Sequence, residues 1–408
     1  MRVWLVFIFG FLSISPFVGF IGLPVSGSFW VALCVIPFLL LTLLSGNLRV
    51  HSSFILFISA TVALGSITAI YWGEPRFIYY SIFFLSSVFM FSMLSKEEVS
   101  SLVSIASHFL LIVVIGAWIG SLLAQNGVQP MFSFPRSIFS GQTIDVYYTT
   151  ITNFVRGNFI RPAGIYDEPG SLSMYICAVA AARHLMRKNS RYTWVLLILG
   201  FITFSLAHLI YVVVHAFAEK IKFREVLLVI LAAIVSLPLL VSSGLSDDFQ
   251  SQLSYRLSFD AEGNLKGDNR SFRFYNAAEY IGSDTRVFLF GLDSELAYPV
   301  GASYRNYNAI GENPLFPLVA TGILVSWPYY LFLAFLFIFA LNGRRSLVLF
   351  GIGLLFLQRP YVLNLGVSTL AVMVYAAAII DFKSGSGLLK QFMMSNLVVK
   401  KELTAKTD

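Results

Sequence analysis

The sequence predicts an all-α, polytopic integral membrane protein with about twelve transmembrane helices. Hydrophobic residues make up 57% of the 408 residues, and charged residues only 12%. Apolar runs near the ~20 residues that cross a bilayer as a helix recur from one end of the chain to the other. Basic residues fall between these runs, where cytoplasmic loops are expected. Little chain is left over, so a large soluble domain is excluded.

Residues 1–124 are predicted to form an N-terminal bundle of five spans. The apolar runs lie at about 3–23, 28–45, 52–72, 77–95 and 99–124. Arg2 precedes the first run, as in a signal peptide, but no small-residue cleavage site follows, so we expect a span there. Residues 125–167, rich in Ser, Thr, Gly, Tyr and Asn, are expected to form the first outer loop.

The next part, 168–243, is predicted to hold spans at about 168–187 and 225–243 and a broken pair between them. Basic clusters flank the apolar run on both sides, so a single crossing would leave one cluster outside. Two short helices, at about 192–204 and 206–219, satisfy the charge rule if they meet near Thr203 and Ser205. One long tilted helix is the alternative. A turn inside the membrane needs backbone that is buried or lines a wet cavity, so a substrate site is expected there.

Residues 244–312 are predicted to form a large outer loop. They are followed by C-terminal spans within 313–381 and a cytoplasmic tail at 382–408. The spans are predicted as one long helix at 313–341 and a second short pair, 347–358 and 362–381, around Arg359. These crossings place both termini in the cytoplasm.

Lysine and arginine divide differently between the two predicted sides. Nine of the ten lysines fall inside, whereas the outer side keeps ten arginines and only Lys266. A guanidinium grips phosphate or carboxylate through two parallel hydrogen bonds, so this distribution favours an anionic ligand outside. Depletion of lysine by topology alone is the alternative. The net charge of +7 orients the protein in the membrane, and nucleic acid is not expected as a partner.

The first candidate motif is RPAGIYDEPG, 161–170, at the start of the sixth span. Arg161, Asp167 and Glu168 crowd one membrane boundary. Pro169 suits the first turn of a helix, and an acid just before it complements the helix dipole. Capping therefore explains one acid, but it does not explain Arg161.

The second candidate motif places Arg270 and Arg273 on one helical face, three residues apart, with Tyr275 beside them. Paired guanidinium groups suit a diphosphate, and aromatic rings suit the apolar face of a sugar. A solvated amphipathic helix is the alternative.

The third candidate motif is Glu312-Asn313-Pro314, at the start of the tenth span and shortly after Arg305. A carboxylate at a membrane boundary near arginines is a candidate general base. Capping by Asn313, with Pro314 as the first helical residue, is the alternative.

No metal or other cofactor is predicted. Cys34 and Cys177 fall inside predicted spans, and the five histidines show no metal-ligand spacing. His208 and His215 lie seven residues apart in the second short helix, a spacing more typical of packed positions. Neither a P-loop nor a GxSxG motif is found, which argues against ATP-driven transport and soluble-type hydrolysis.

Taken together, 155–330 resembles the bacterial O-antigen polymerases (Wzy type) and the related O-antigen ligases, which are membrane glycosyltransferases of the GT-C class. RPAGIYDEPG is similar to the R-x-x-G…E-P of the polymerases, and FITFSLAH to their broken helix pair. The stretch from Arg270 to Asp293, with Gly291 near its end, is followed by Glu312-Asn313 and Gly322. It resembles the ligase pattern of Arg, Gly-x-G, His-Asn and Gly. Asp293 replaces the second Gly and Glu312 the usual His, which favours a polymerase.

The resemblance implies a GT-C-like fold in the bacterial inner membrane and a metal-independent glycosyltransferase. Its substrates would be undecaprenyl-diphosphate-linked glycans on the periplasmic face, and a chain-length regulator and a flippase are conceivable partners besides membrane lipid. It implies Glu312, or else Glu168, as the general base. It also implies that the diphosphate and the glycan are bound by a set of arginines and a tyrosine: Arg161, Arg270, Arg273, Arg305, Arg359 and Tyr275. An O-antigen ligase and a polysaccharide or lipid flippase are the alternatives.

Overall fold

The computed structural model describes residues 1–13, 27–46, 52–135, 143–156, 159–221, 258, 271–292, 310–311, 313–360 and 365–384. It is mostly helical, which confirms the coarse prediction. Within these described residues, four helices are long and apolar enough to cross a membrane: Phe54–Trp72, Lys96–Gln125, Phe316–Ala340 and Leu365–Lys383. This marks a membrane protein by length and composition, while the count of twelve spans and the GT-C-like fold stay predictions.

The described part of the N-terminal bundle contains five helical segments. The first, α1, runs over Arg2–Phe7 and continues as a π-helix over Ile8–Leu12. The second, α2, is Gly27–Trp30, continued by π-helical Val31–Val35 and α-helical Ile36–Leu44. Next come α3, α4 and α5, over Ser52–Trp72, Arg76–Ser92 and Lys96–Gln125. A capping box starts α5, because the Ser95 side chain and Glu98 bond each other's backbone N–H.

The first outer loop contains β-structure, so the all-α prediction is wrong for this loop. Antiparallel strands β1 (Phe132–Pro135), β2 (Thr143–Val146) and β3 (Ile151–Thr152) form one sheet, and β4 (Val155–Arg156) pairs with β5 (Phe159–Ile160). Side chains of β2 alternate between exposed and buried, and β-branched residues suit such a half-buried surface. The β-branched and aromatic run from 144 to 155 was the available signal.

The broken pair is present as two separate helices. After α6 (Pro169–Leu185), α7 covers Ser190–Leu199 and is extended by a 3₁₀ turn, Gly200–Thr203. Phe204 then adopts the left-handed conformation (φ 47°), and α8 begins at Leu206 and ends at Ala218. The break lies between the two residues at which the charge pattern predicts it.

The C-terminal part contains α9 (Ser271–Ser283), α10 (Thr285–Phe290), α11 (Phe316–Ala340), α12 (Leu347–Gln358) and α13 (Leu365–Ser384). Helices are present close to the predicted 347–358 and 362–381, but of this pair only α12, with 12 residues, is short, because α13 has 20. The predicted span at 225–243 lies outside the described residues, as do most of the large loop and of the tail.

Inside α11 the helix is broken at Gly322, whose φ of 70° and ψ of 168° are not helical. The Tyr330 hydroxyl donates to the Pro314 carbonyl at 3.1 Å. A straight helix would separate residues that far apart in sequence by about 24 Å. The chain before Gly322 therefore folds back along the helix that follows it, and the long span predicted at 313–341 contains a break that the sequence analysis did not predict.

The centre of the molecule is α6, in which every residue from Leu172 to Arg183 is buried. Its small residues, Ala178 and Ala180 to Ala182, allow close approach of neighbouring helices. It contacts α5, α7, α8, α12 and α13. Residues at both ends of α6 are thus held by several helices at once.

Residues of the predicted cytoplasmic side meet at one end of these helices. Arg345 donates to the carbonyl of His184, and Arg344 to that of Phe217 at 2.6 Å. Arg183 is 5% exposed and donates to Ser107 Oγ and Thr193 Oγ1, each at 3.0 Å. It is therefore a buried structural residue, although the charge rule treats it as a loop cation.

Candidate functional site

An ion pair joins two distant parts of the chain at the opposite end of α6. Arg359 Nη1 contacts Glu168 Oε1, and the two side chains are 13% and 14% exposed. Glu168 immediately precedes α6, and Arg359 immediately follows α12. The residue Gly170 makes the contact possible, because a Cβ there would collide with the Arg359 guanidinium. The fold thus brings together two of the residues predicted for the site.

Helix capping does not account for this acid. Glu168 is the N-cap of α6, yet among the described residues its side chain makes no capping hydrogen bond. Pro169 occupies the first turn, as predicted. The neighbouring Asp167 accepts a hydrogen bond from Ser171 Oγ at 2.8 Å. The side chain of Glu168 is directed to Arg359 instead, where a carboxylate stabilises a partly buried cation.

Arg161 lies at the break between α7 and α8. Its Nε and Nη2 donate to the Thr203 carbonyl at 3.2 and 3.0 Å, and Nη2 also donates to the Phe204 carbonyl at 3.2 Å. Carbonyls at the end of a helix have no partner within it, so a cation is favourable there. The structure makes Arg161 a positioning residue for the break, and its contact with a ligand stays a prediction.

Gly164 fixes the path of the chain between Arg161 and α6. Its φ is 66°, its N–H donates to Thr150 Oγ1 at 3.0 Å, and it bridges Ile151. A Cβ at this position would overlap the Val113 side chain of α5. The tight passage against α5 requires glycine here.

We expect Arg161→Ala to lower the free energy of unfolding by about 1–3 kcal/mol, because charged hydrogen bonds to two carbonyls are lost. Arg161→Lys should recover part of this loss, since an ammonium reaches one carbonyl but lacks the planar fork. Thermal unfolding in detergent, followed by gel filtration, measures both variants. Arg286→Ala is the control and should leave the midpoint unchanged, because its side chain is 72% exposed. Equal midpoints for Arg161→Ala and wild type would contradict the positioning role.

A second group of predicted residues lies where α9 meets the start of α11. Arg273 Nη1 donates to the Gly311 carbonyl at 3.3 Å, while its buried Nε has no hydrogen-bond partner among the described residues. Asn313 is 1% exposed and donates to the carbonyls of Ile310 and Arg273 at 2.6 and 3.3 Å. Tyr275 is 70% exposed, so it contributes a surface ring.

Asn313 does not cap α11 in the way the sequence suggested. Its Oδ1 accepts from the Leu315 N–H at 2.8 Å, and α11 begins only at Phe316, so Pro314 is not the first helical residue. The asparagine instead ties the chain before α11 to α9. Three predicted site residues, Glu312, Arg270 and Arg305, lie outside the described residues.

Two glycines of the ligase-like pattern contact each other. Gly291 ends α10 with φ 76°, and a Cβ there would lie 2.6 Å from the Thr321 nitrogen, beside Gly322. Next to this contact, the Leu292 N–H donates to the Val319 carbonyl at 2.8 Å. The break in α11 is therefore the place where the outer helices α9 and α10 attach to the membrane part.

Sequence reasoning missed two residues that hold this junction. Trp72 Nε1 donates to the Phe290 carbonyl at 3.1 Å, and Arg76 Nη2 donates to the Leu292 carbonyl at 3.0 Å. Both flank the short turn between α3 and α4. The outer position of Arg76 was predicted, but nothing in the sequence pairs it with a loop more than two hundred residues away.

The two groups are linked through α11 and α12. Tyr329, after the break in α11, donates from its hydroxyl to the Phe356 carbonyl at 2.9 Å, shortly before Arg359.

Comparisons with protein families, curated proteins and solved structures find no match for this chain. The functional argument therefore depends on the residues and their geometry.

Proposed function

We propose that the protein polymerises lipid-linked polysaccharide repeat units, for an O-antigen or a related surface polysaccharide. The growing glycan is transferred from undecaprenyl diphosphate to a new lipid-linked repeat unit at the periplasmic face of the inner membrane. The protein is then a metal-independent glycosyltransferase with a GT-C-like arrangement of about twelve spans. The observation that carries this proposal is the ion pair of Glu168 and Arg359 at the outer end of α6, next to the helix break that Arg161 holds.

Arginine at this boundary suits a lipid diphosphate. The diphosphate group of a lipid-linked substrate lies at the membrane surface, which is where the predicted topology places the start of α6. Arg359 is paired with Glu168, and a diphosphate can compete for the guanidinium through bidentate hydrogen bonds. Fixed positive charge of this kind is most useful where negative charge develops on a leaving diphosphate.

Arg273, in the group of residues where α9 meets the start of α11, is also suited to binding a diphosphate. Arg273 is half-buried. Its Nη1 donates to the Gly311 carbonyl, and its Nε is unpaired among the described residues. Tyr275 lies close by on the exposed surface of α9 and offers an aromatic face to a sugar. In this proposal α9 forms the glycan-facing side of the site.

The acceptor hydroxyl needs a base, and the ion pair helps to choose between the two acids. A carboxylate that is paired with a guanidinium is a weak base, because the positive charge stabilises its ionised form. Glu168 is therefore better suited to orienting Arg359. Glu312 remains our first choice for the base, adjacent in sequence to Gly311, whose carbonyl accepts from Arg273.

The test is polymer length on gels, in a strain that lacks this protein and is complemented with each variant. We expect Arg359→Ala, Arg273→Ala and Glu312→Gln to reduce the ladder to a single repeat unit, at membrane levels equal to wild type. Arg286→Ala is the matched control, since this arginine is also on the predicted outer side but pairs locally with Asp284 and is 72% exposed. It should keep the full ladder.

Two outcomes would contradict the proposal. Full ladders from all three variants would exclude these residues from the site. Loss of even the single repeat unit from the surface of the deletion strain would favour a flippase or an O-antigen ligase instead. If the protein is a polymerase, lipid-linked single repeat units should accumulate in the deletion strain.

A further inference from the structure

We propose that His184, His215 and Glu219 form a binding site for a zinc ion, or for a similar divalent transition metal, at the predicted cytoplasmic end of the protein. Among the described residues, one nitrogen of each imidazole and one carboxylate oxygen all lie within 4.8 Å of one another. This site is at the other end of α6 from Glu168, and it does not depend on the proposed polymerase function.

Two helices, α6 and α8, supply the three ligands, and α7 packs beside them. His184 is in the last turn of α6, and His215 and Glu219 lie four residues apart at the end of α8, so they share one face. Residues of α7 close the remaining side. Sequence spacing alone gave no metal signal, because the third ligand comes from a different helix about thirty residues earlier, a separation that no short motif covers.

The distances fit a small tetrahedral ion. His184 Nδ1 is 3.3 Å from Glu219 Oε1, and His215 Nε2 is 3.6 Å from the same oxygen. With zinc bonds of about 2.0–2.1 Å to nitrogen and oxygen, neighbouring ligands of a tetrahedral ion lie about 3.3 Å apart. The two imidazole nitrogens lie within 4.8 Å of each other, so the side chains would shift toward the ion to accept the metal.

An unpaired nitrogen points to the ligand. The His215 side chain is fully buried, and its Nε2 has no hydrogen-bond partner among the described residues. A buried polar atom without a partner is unfavourable, and a metal ion would satisfy its lone pair. The other ring nitrogen, Nδ1, lies 3.2 Å from the Tyr211 hydroxyl, whose oxygen can accept a hydrogen bond from Nδ1–H and so leave the lone pair of Nε2 free to coordinate.

The carboxylate is oriented by neutral donors. Ser190 Oγ donates to Glu219 at 2.7 Å, and Trp194 Nε1 donates to its Oε2 at 2.6 Å. Such outer contacts fix a metal-binding carboxylate without cancelling its charge. Arg345 bonds to the His184 carbonyl and lies 3.6 Å from Asp381, so its charge has a counter-ion other than Glu219. The negative charge of Glu219 is thus available to a cation.

Zinc binding by the purified full-length protein tests the site. The protein is isolated in detergent with a tag that contains no histidine, treated with a chelator, and titrated with Zn²⁺. Elemental analysis after gel filtration should give one zinc per chain. His215→Gln and Glu219→Gln should weaken binding at least tenfold, and Tyr211→Phe about tenfold, as expected for an outer contact.

His108→Gln is the matched control, because His108 is exposed on α5 and its Nδ1 hydrogen-bonds the Ser104 carbonyl of the same helix. It should bind zinc as the wild type does. Zinc should also raise the unfolding temperature of the wild type but not of Glu219→Gln, a readout that does not require activity. If His215→Gln does not fold, His184→Gln replaces it.

Absence of stoichiometric zinc from the folded wild type would overturn the proposal, as would unchanged affinity in Glu219→Gln.

Discussion

Replacing Gly322 with alanine is expected to destabilise the protein by about 3 kcal/mol or more, the sum of backbone strain and overpacking. The φ of 70° is unfavourable for any residue with a Cβ, and the added atom would overlap the carbonyl of Leu289. The backbone of α10 would have to move away from the break in α11. Gly291→Ala is expected to act similarly, because its Cβ would meet the backbone of Thr321.

A matched control separates the two causes. Gly127 also has a positive φ, 81°, but nothing lies within 4 Å of the position of its Cβ. Gly127→Ala should therefore show only the conformational cost of about 1–2 kcal/mol. Thermal unfolding in detergent measures all three variants. If Gly322→Ala loses no more stability than Gly127→Ala, α10 does not pack against the break as described.

Arg359→Ala is expected to destabilise the protein by about 3 kcal/mol, near the lower end of the range for breaking a buried ion pair. The loss is large because the carboxylate of Glu168 remains partly buried without its partner. It stays below the upper end because some solvent reaches both side chains. Removing the acid as well should relieve part of the loss, since no unpaired charge is then left.

A double-mutant cycle with Glu168→Gln and Arg359→Gln measures this coupling directly. We expect the double variant to be more stable than the sum of the two single losses implies. The surface pair of Asp284 and Arg286 is the control, because Arg286 is 72% exposed and screening by water should make its coupling undetectable. Additive losses at Glu168 and Arg359 would mean that the two charges do not stabilise each other.

The sequence predicted the long helices well because length and apolarity decide them locally. The helix Ser52–Trp72 has the predicted bounds, since polar residues at both ends leave no other place to stop. The break at Phe204 was found from basic clusters on both sides of the apolar run, which is a global argument about charge.

Features that depend on tertiary contact were missed. The break at Gly322 is stabilised by α10, so the apolar run around it looks like one continuous span in the sequence. Arg183 carries the charge of a loop residue but is buried against Ser107 and Thr193 from two other helices. The small sheet in the outer loop was missed because its strands are too short to show a clear alternation.

The candidate site shows the same division. Glu168 was identified from the sequence because three ionisable residues crowd one predicted membrane boundary. Its partner Arg359 was a weaker candidate, since the contact depends on how α12 ends beside α6. The contact of Gly291 with Gly322 needed the fold, although both glycines belong to a recognisable pattern.

The hydrogen bonds of Arg161 also bear on ion-coupled transport. In many secondary transporters, the free carbonyls at a helix break coordinate the sodium ion or proton that drives the cycle. Here the carbonyls of Thr203 and Phe204 are bonded to a guanidinium that is covalently part of the chain. This cation cannot dissociate, so the break carries a permanent positive charge in the place where an exchangeable coupling ion would bind. A gradient-driven cycle would need its ion site elsewhere in the protein.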